Sequence, residues 1–411
     1  MKVKIIKGTK QIGGCITEIS TDKSKIIIDF GNDLDEKNEV FEIEGLTKGK
    51  GGYDAVFITH SHKDHIGLIN KIVVDVPIYV EGNALKIHNL TCEFCNEEKI
   101  TRNINTFTIK RNTNNVNKDD RKIFDNGDIK VYAYMGDHSS YNSSMFLIEN
   151  DEKKILHTGD FRMHGRRNNV VISSLKKIGK VDLLITEGTT LTRYDDNYMS
   201  EKELENEFLK IMKKYNHVLV IQSSTNFDRT TSVVKSSLKT NKKFILDLFS
   251  YYLQNEISNR FIYVDNVNIY LWKPYNYQKK PNWFKEKYLE IENSLNGAFS
   301  SFTMEVKESM LSDIKVLYKK GLLKNTCLIY SMWEGYLKED KLKKFINELQ
   351  KMDIDIIKLH TSGHADKSSF KKINEMVNPN QTIIIHTNSS SNGKELFNNV
   401  IDINDNEYVI I

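Results

Sequence analysis

Proline and cysteine are both scarce in this chain, with four of each in 411 residues. Cys15, Cys92, Cys95 and Cys327 are too few and too scattered for a disulfide framework, which sets aside the small secreted scaffolds. Cys92-Glu-Phe-Cys95 has no second Cys or His pair to complete a zinc site, so it reads as a structural or incidental pair on a surface helix. No apolar run approaches the roughly 20 residues of a membrane-spanning helix. Met1-Lys-Val-Lys-Ile-Ile-Lys-Gly8 reads as a first strand and lacks the long apolar centre of a signal peptide. The default setting is therefore a reduced cytoplasm, with no membrane partner. Charge of one sign is missing as well. Against 55 acidic residues stand 59 basic ones, and a net charge of +4 says almost nothing about nucleic acid. The shortage of proline amid plentiful Lys, Asn and Ile fits an AT-rich genome better than any function.

What is present describes a globular enzyme: 39% apolar and 28% charged residues, in a chain long enough for two domains. The first part alternates short β runs with turns, at Lys25–Phe30, Asp54–Thr59, Ile129–Tyr134, Ser144–Ile148 and Lys154–His157, with an exposed loop expected at Asn112–Arg121. After Asp182–Glu187 the rhythm changes. Helices expected at Glu201–Tyr215, Asp228–Lys239, Glu305–Lys320 and Lys338–Met352 alternate with strands at His217–Gln222, Lys243–Asp247 and Thr326–Tyr330, which implies a parallel α/β sheet. Short strands return around Ile356–His360, Thr382–His386 and Tyr408–Ile411. Rhythm alone suggests an α/β unit inserted into a β-rich one. The stretch Trp272–Trp283 mixes Lys with Trp and Tyr, which suits base stacking and phosphate contact as well as it suits a surface segment with partly buried aromatics.

His60-Ser-His62-Lys-Asp64-His65 sets four potential metal ligands directly after the apolar run Asp54–Thr59. Imidazole and carboxylate are the donors of zinc sites, and two ions sharing one site can activate water for hydrolysis. A solvated polar turn is the rival reading; it is weak because the chain has only eleven His and three of them fall here. Gly136-Asp-His138-Ser, His157-Thr-Gly-Asp160, Thr361-Ser-Gly-His364-Ala and Ile-Ile-Ile-His386 repeat the theme of His or Asp at the ends of apolar runs.

The order His-x-His-x-Asp-His, Asp-His-Ser, Thr-Gly-Asp resembles the metallo-β-lactamase superfamily, as does Gln11-Ile-Gly-Gly-Cys-Ile-Thr-Glu18 followed by Ile-Asp-Phe-Gly31. Glu187, Ser362-Gly-His364-Ala and His386 look like motifs A, B and C of its β-CASP branch, which includes ribonuclease J. Gln222–Arg229 resembles the ribonuclease J stretch that lines the substrate cleft. The resemblance spans essentially the whole chain. It implies an α/β fold: an αββα sandwich from residues 1–188 and 356–411, interrupted by a parallel α/β β-CASP domain at 189–355.

The resemblance also implies roles. His60, His62 and His138 would hold one zinc, Asp64, His65 and His386 the other, and Asp160 would bridge them, with Mn2+ or Mg2+ as alternative ions. Asp64, Glu187 and His364 would serve the chemistry, His364 contacting the scissile phosphate or protonating the leaving oxygen while Glu187 orients it. Ser224, Thr225, Asn226, Arg229, Ser362 and Gly363 would meet the substrate, single-stranded RNA. The remaining histidines resist assignment: His157 reads as a buried hydrogen-bonded residue, His164 as a supporting or an exposed one, His88 and His217 as incidental and His360 as structural.

Two departures matter. His386 is followed by Thr-Asn-Ser-Ser where ribonuclease J usually has Gly-Glu, and the chain ends 25 residues later, so the separate C-terminal domain of ribonuclease J is expected to be absent. Assembly is therefore not carried over, and a homodimer stays open. The expected activity is a zinc-dependent ribonuclease, with exonuclease and endonuclease action both open. The rivals are a DNA nuclease of the same branch, whose members usually carry Val at motif C, and a small-molecule hydrolase or a non-cleaving RNA-binding protein.

Overall fold

The computed structural model describes residues 1–34, 42–110, 116–193, 197–257, 269–289, 294–295 and 301–411. Contacts divide the chain into two units, Met1–Tyr198 with Gly363–Ile411, and Met199–Ser362.

The first unit holds two seven-stranded sheets. One runs in the order Tyr408–Ile410, Lys2–Lys7, Ile16–Ser20, Lys25–Ile28, Ala55–Ile58, Ile78–Glu81, Asn105–Phe107. The other runs Val400–Ile401, Gln381–Ile385, Leu183–Glu187, Lys154–His157, Ser144–Glu149, Lys130–Met135, Lys122–Asp125. Side chains alternate along each strand. Ile26, Ile28, Ala55 and Phe57 meet Val131, Ala133, Phe146, Ile148, Ile155, Leu183, Ile185 and Ile383 in one buried core, so the sheets pack face to face. The intervening residues point outward. Ile27, Val56 and Ile58 join a second core with Ala84 of the helix Gly82–Cys95 and with Ile66 and Ile69. Tyr132, Leu147, Leu184 and Ile384 are covered by Val171 and Leu175 of the helix Asn168–Ile178 and by Phe370 and Ile373 of the helix Lys367–Val377. This is an α/β sandwich with two sheets inside and helices outside.

The second unit is a single seven-stranded sheet, Ser294–Leu295, Ile269–Trp272, Lys243–Leu246, Phe302–Glu305, His217–Ile221, Thr326–Tyr330, Asp355–Lys358, with every pairing parallel. Both faces are buried, as a parallel sheet requires. Val218, Val220, Phe244 and Leu246 pack on Phe208 and Val233 of the helices Glu201–Lys214 and Phe227–Lys239. Leu219, Met304, Leu328 and Tyr330 pack on Ile314, Leu342 and Phe345 of the helices Leu311–Lys319 and Asp340–Gln350.

Expected and observed elements differ most at Glu305–Lys320. Glu305 closes the strand Phe302–Glu305, and the helix begins only at Leu311 after the 3-10 turn Glu308–Met310. The run Phe302-Thr-Met-Glu305 lies between two parallel neighbours and is wholly buried, so the tertiary setting overrides helical spacing. Of the loop expected at Asn112–Arg121, residues 112–115 lie outside the described ones, and Asp119–Arg121 form a 3-10 turn. Among the described residues no helix is long and apolar enough to cross a membrane.

Candidate metal centre

Five strands of the first unit end at one place. Lys154–His157, Leu183–Glu187 and Gln381–Ile385 are parallel neighbours in register. Lys130–Met135 runs the same way, with the antiparallel Ser144–Glu149 between it and Lys154–His157. Ala55–Ile58 comes from the other sheet, and the Thr59 carbonyl accepts a hydrogen bond from the Ser144 amide at 2.8 Å, joining the two sheet edges. Glu187 closes its strand, and His60, His138, Asp160 and His386 follow theirs within three residues.

The turn after Ala55–Ile58 is shaped by Asp29, a fully buried residue with φ 61°. Its carboxylate accepts from the Thr59 amide at 2.7 Å and the Thr59 hydroxyl at 2.8 Å, and lies 2.8 Å from His65 Nδ1. The short helix Lys63–Ile66 that carries Asp64 and His65 lies flat on the backbone around Gly31: the Phe30 amide donates to the His65 carbonyl, and the Asn32 amide to that of Lys63. A Cβ on Gly31 would fall 1.8 Å from the Asp64 carbonyl oxygen, so only glycine permits this approach.

The result is two groups of donors. His60, His62, His138 and Asp160 each offer one atom, all within 4.8 Å of one another, and Asp64, His65 and His386 do the same. Asp160 Oδ2 faces both groups. It lies 3.4 Å from His65 Nε2, 3.7 Å from His386 Nε2 and 3.8 Å from both His60 Nε2 and His138 Nε2. The opposite ring nitrogens are held from behind: His60 by the Thr59 hydroxyl at 3.0 Å, His138 by the Gly363 carbonyl at 2.6 Å and His386 by the Thr189 hydroxyl at 2.8 Å. Such outer partners fix ring orientation and tautomer, and they are characteristic of metal-ligating histidines. Among the described residues, the buried atoms His60 Nε2, His65 Nε2 and Asp160 Oδ2 have no hydrogen-bond partner. Buried polar atoms are rarely left so, and these three aim at one another, which fits a metal site.

Electrostatics divide the histidines. Burial pushes His60 and His138 well below the ordinary imidazole range, helped for His60 by the neighbouring rings, and it lowers His62 to about 4. These three are neutral and ready to donate lone pairs. Burial also opposes charge on His65 and His386, but Asp160 and Asp64 outweigh it and raise both; Asp29 adds to the effect at His65. The same attraction holds Asp64 and Asp160 below the usual carboxylate range despite their burial. The two carboxylates that favour a proton on His65 and His386 would equally favour a bound cation there.

His364 is partly open, its side chain 23% exposed. Its Nδ1 lies 3.4 Å from Glu187 Oε2 and 3.7 Å from Asp160 Oδ2. Glu187 is fixed by the amides of Thr189 and Ala365, at 3.0 and 3.1 Å. Burial works against its charge, yet His364 brings its pKa below the usual value. His157 stays in its strand, buried, with Nδ1 accepting from the Gly159 amide. His164 is buried against Tyr198. His88 lies 3.4 Å from the Cys92 sulfur within the helix Gly82–Cys95, where Cys92 is buried and Cys95 exposed.

Ser224, Thr225, Asn226, Arg229 and Ser362 belong to the second unit, and for most of them the side chains are already engaged. Arg229 is a correction. It is fully buried, donating to Glu201, to the Ser331 carbonyl and hydroxyl and to the Thr361 carbonyl, so it cannot reach a substrate. A guanidinium with five fixed donors is suited to tie four segments together. Asn226 caps the helix Phe227–Lys239 by accepting from the Arg229 amide. The Ser224 hydroxyl donates to Glu305 at 2.8 Å and accepts from Ser250. Thr225 is half-buried beside the exposed Ser223. Asp29 and Thr189 were missed. Asp29 stood in the Ile-Asp-Phe-Gly31 run without a role, and nothing local marks Thr189, whose partner is 197 residues away.

Residues 25–218 match the family model of the beta-lactamase superfamily domain. The chain is 24% identical to the probable RNase MJ4 of Methanocaldococcus jannaschii, over 92% of this chain and 90% of that one. It is 23% identical to ribonuclease J 2 of Streptococcus pyogenes, over 60% of this chain and 45% of the relative, so it spans less than half the length of that protein. A solved structure of a protein of unknown function from Enterococcus faecalis V583 superposes with a TM-score of 0.77 at 20% identity, covering 100% of this chain and 99% of that one.

Proposed function

We propose that this chain, which resembles the ribonuclease J-like metallo-β-lactamase proteins, is a zinc-dependent ribonuclease that hydrolyses phosphodiester bonds of single-stranded RNA in the cytoplasm. The observation that carries the reading is Asp160 Oδ2, one carboxylate oxygen within 3.8 Å of four inward-pointing imidazole nitrogens from two donor groups. His60, His62 and His138 would hold one ion and Asp64, His65 and His386 the other, with Asp160 serving both. When bound, two such ions supply a water of lowered pKa and positive charge for the attacked phosphate.

The protein's own residues do the rest. Glu187, pinned by two backbone amides, fixes the His364 ring through Nδ1. The Nε2 atom then delivers a proton to the departing oxygen, a task imidazole is suited to because one ring nitrogen can be held while the other exchanges a proton. Low pKa values at His60, His62 and His138 keep these rings in the form that can ligate. We read Met199–Ser362 as the inserted β-CASP unit that supplies substrate contacts, with Thr225 and Ser362 as its remaining candidates, and keep Gly363 of the first unit as a further one. Ser224 and Asn226 are already committed to internal bonds.

The test is to incubate the purified protein with 5′-monophosphorylated, 5′-triphosphorylated and circular RNAs and with matched DNA, comparing wild type with His62→Ala and His364→Ala. RNA cleavage lost in both variants is expected, with about two zinc ions per wild-type chain. Undiminished cleavage by His62→Ala would overturn the two-ion reading, and cleavage of DNA alone would overturn the ribonuclease reading.

A further inference from the structure

We propose that the segment Trp272–Leu289 of the second unit is a binding surface for single-stranded RNA, built from exposed aromatic rings set among lysines. The segment is fastened down on one side. Trp272, Tyr277 and Tyr288 are buried. The Trp272 ring donates to Asp313 at 3.3 Å, and the Tyr277 and Tyr252 hydroxyls donate to the carbonyls of Lys285 and Lys287. Two of the chain's four prolines, Pro274 and Pro281, lie here and restrict the backbone. The 3-10 turn Tyr277–Lys279 and the helix Asn282–Leu289 complete it. The inner aromatics are therefore structural.

The other side faces solvent. Tyr275 is 44% and Trp283 41% exposed. Residues 269–289 contain five lysines, Lys273, Lys279, Lys280, Lys285 and Lys287, against one acid, Glu286. From outside the segment Lys320 adds its ammonium 4.8 Å above the Tyr275 ring, while Asp313 beside it is buried and engaged by the Trp272 ring and the Tyr275 amide. Lys280 lies 5.4 Å above Phe284, which meets Trp283 edge-on at 5.9 Å. Large exposed rings on a fixed backbone cost little entropy to stack upon, and cations beside them meet the phosphates between the bases. This pairing of stacking platform and positive surface is how unpaired strands are held without sequence preference. A protein partner would call for an apolar or acidic complement; exposed rings in a lysine-rich segment, with Lys320 over Tyr275 and Lys280 over Phe284, fit a polyanion with π faces.

The choice of RNA over DNA rests on the function proposed above; the surface itself does not depend on the metal centre. Anisotropy of a labelled U12 RNA would be measured with full-length protein in EDTA across a salt series, for wild type, Tyr275→Ala and the triple variant Lys279→Glu, Lys280→Glu, Lys285→Glu. The Tyr275 amide bond to Asp313 survives the alanine change, so the turn is kept. We expect roughly tenfold weaker binding for Tyr275→Ala. For the triple variant we expect a larger loss and a salt slope shallower by about 2, at ~0.7 per phosphate contact. Hydrolysis of bis(p-nitrophenyl) phosphate by the zinc-loaded protein should be unchanged in both, which separates this surface from failure of the catalytic reading. Unchanged affinity and salt slope in variants with wild-type circular dichroism would overturn the proposal. Loss in the triple variant with none in Tyr275→Ala would overturn the stacking surface, and preference for matched DNA would overturn the choice of RNA.

Discussion

Arg229→Ala offers a sharp test of how the second unit is held together. Its guanidinium makes a two-point contact with Glu201, at 3.1 and 3.4 Å, and donates to the Ser331 carbonyl at 2.9 Å and the Thr361 carbonyl at 3.0 Å. Both partners of the ion pair are 0% exposed. Removing the cation takes the Arg229 charge away from the buried Glu201 carboxylate, to which Ser232 still donates at 3.2 Å, and breaking such a pair costs about 3–5 kcal/mol. The Thr361 carbonyl loses this donor as well, while His360 Nδ1 remains 3.2 Å from the Ser331 carbonyl, and a loss of this size is a large fraction of the ~5–15 kcal/mol by which domains are stable. Replacing both partners by apolar residues, Arg229→Met with Glu201→Leu, removes the uncompensated charge and should recover at least half of the loss. Urea unfolding followed by circular dichroism measures both. A change below about 1 kcal/mol for Arg229→Ala, together with a raised KM for RNA, would refute the structural assignment and restore Arg229 as a substrate contact.

His364→Ala and Glu187→Gln should lower kcat by roughly 10²–10⁴ and by a smaller factor respectively, with zinc content unchanged by metal analysis; metal loss in either would place that residue among the ligands. Thr189→Val, which removes the hydroxyl 2.8 Å from His386 Nδ1, should weaken zinc binding about 10–100-fold, read by competition with a chelator. In metal-free protein His65 and His386 have raised pKa values, so their stabilising contribution is complete below the ordinary imidazole value of about 6.5 and is lost as pH rises through their raised values. Asp64 and Asp160 are depressed, so theirs is present above about 4 and is lost on acidification through the lowered values. Zinc must displace the two imidazole protons, so calorimetry in buffers of different ionisation enthalpy should show proton release on binding below neutral pH, and its absence would contradict the charge assignment. Gly31→Ala should abolish metal binding at the Asp64, His65 and His386 group, because the new Cβ would occupy the path of the Asp64 carbonyl; zinc content near wild type would show that this backbone can shift.

Several residues of the candidate centre stand out in the sequence because they sit just beyond an apolar run, and a strand end is a local property. The alternation of buried side chains and the break that follows place His60, His138, Asp160 and His386 at strand ends, while their grouping as ligands is what the resemblance implies. The supporting residues were not legible because they act across long sequence separations. Thr189 reaches His386, Gly363 reaches His138 from 225 residues away, and Asp29 acts from a φ of 61° that no composition signals. The same logic explains Arg229. The run Gln222–Arg229 has polar residues where a cleft is expected, but whether a polar side chain faces a cleft or a neighbour depends on what else is packed there. Glu201, Ser331 and Thr361 come from three other segments.

That division has a physical cause which bears on the chemistry. Ligand identity is fixed by the ion, so the pattern of donors survives in the linear order of the chain. Ligand orientation is fixed by whatever backbone or side chain lies behind each ring, and a carbonyl, a threonine hydroxyl and an aspartate all serve, at His138, His386 and His65 respectively. These substitutes are not equal. A carboxylate behind His65 raises its proton affinity, a neutral hydroxyl behind His386 does not, and both rings face the same two aspartates. Weakening Asp29, as in Asp29→Asn, should therefore lower metal affinity most at the Asp64, His65 and His386 group, which it touches directly, and less at the His60, His62 and His138 group, which it reaches only through Thr59. Titration with a spectroscopic ion such as Co2+ would read the change as a wider separation between the two binding steps than in the wild type, and an unchanged separation would contradict the role given to Asp29.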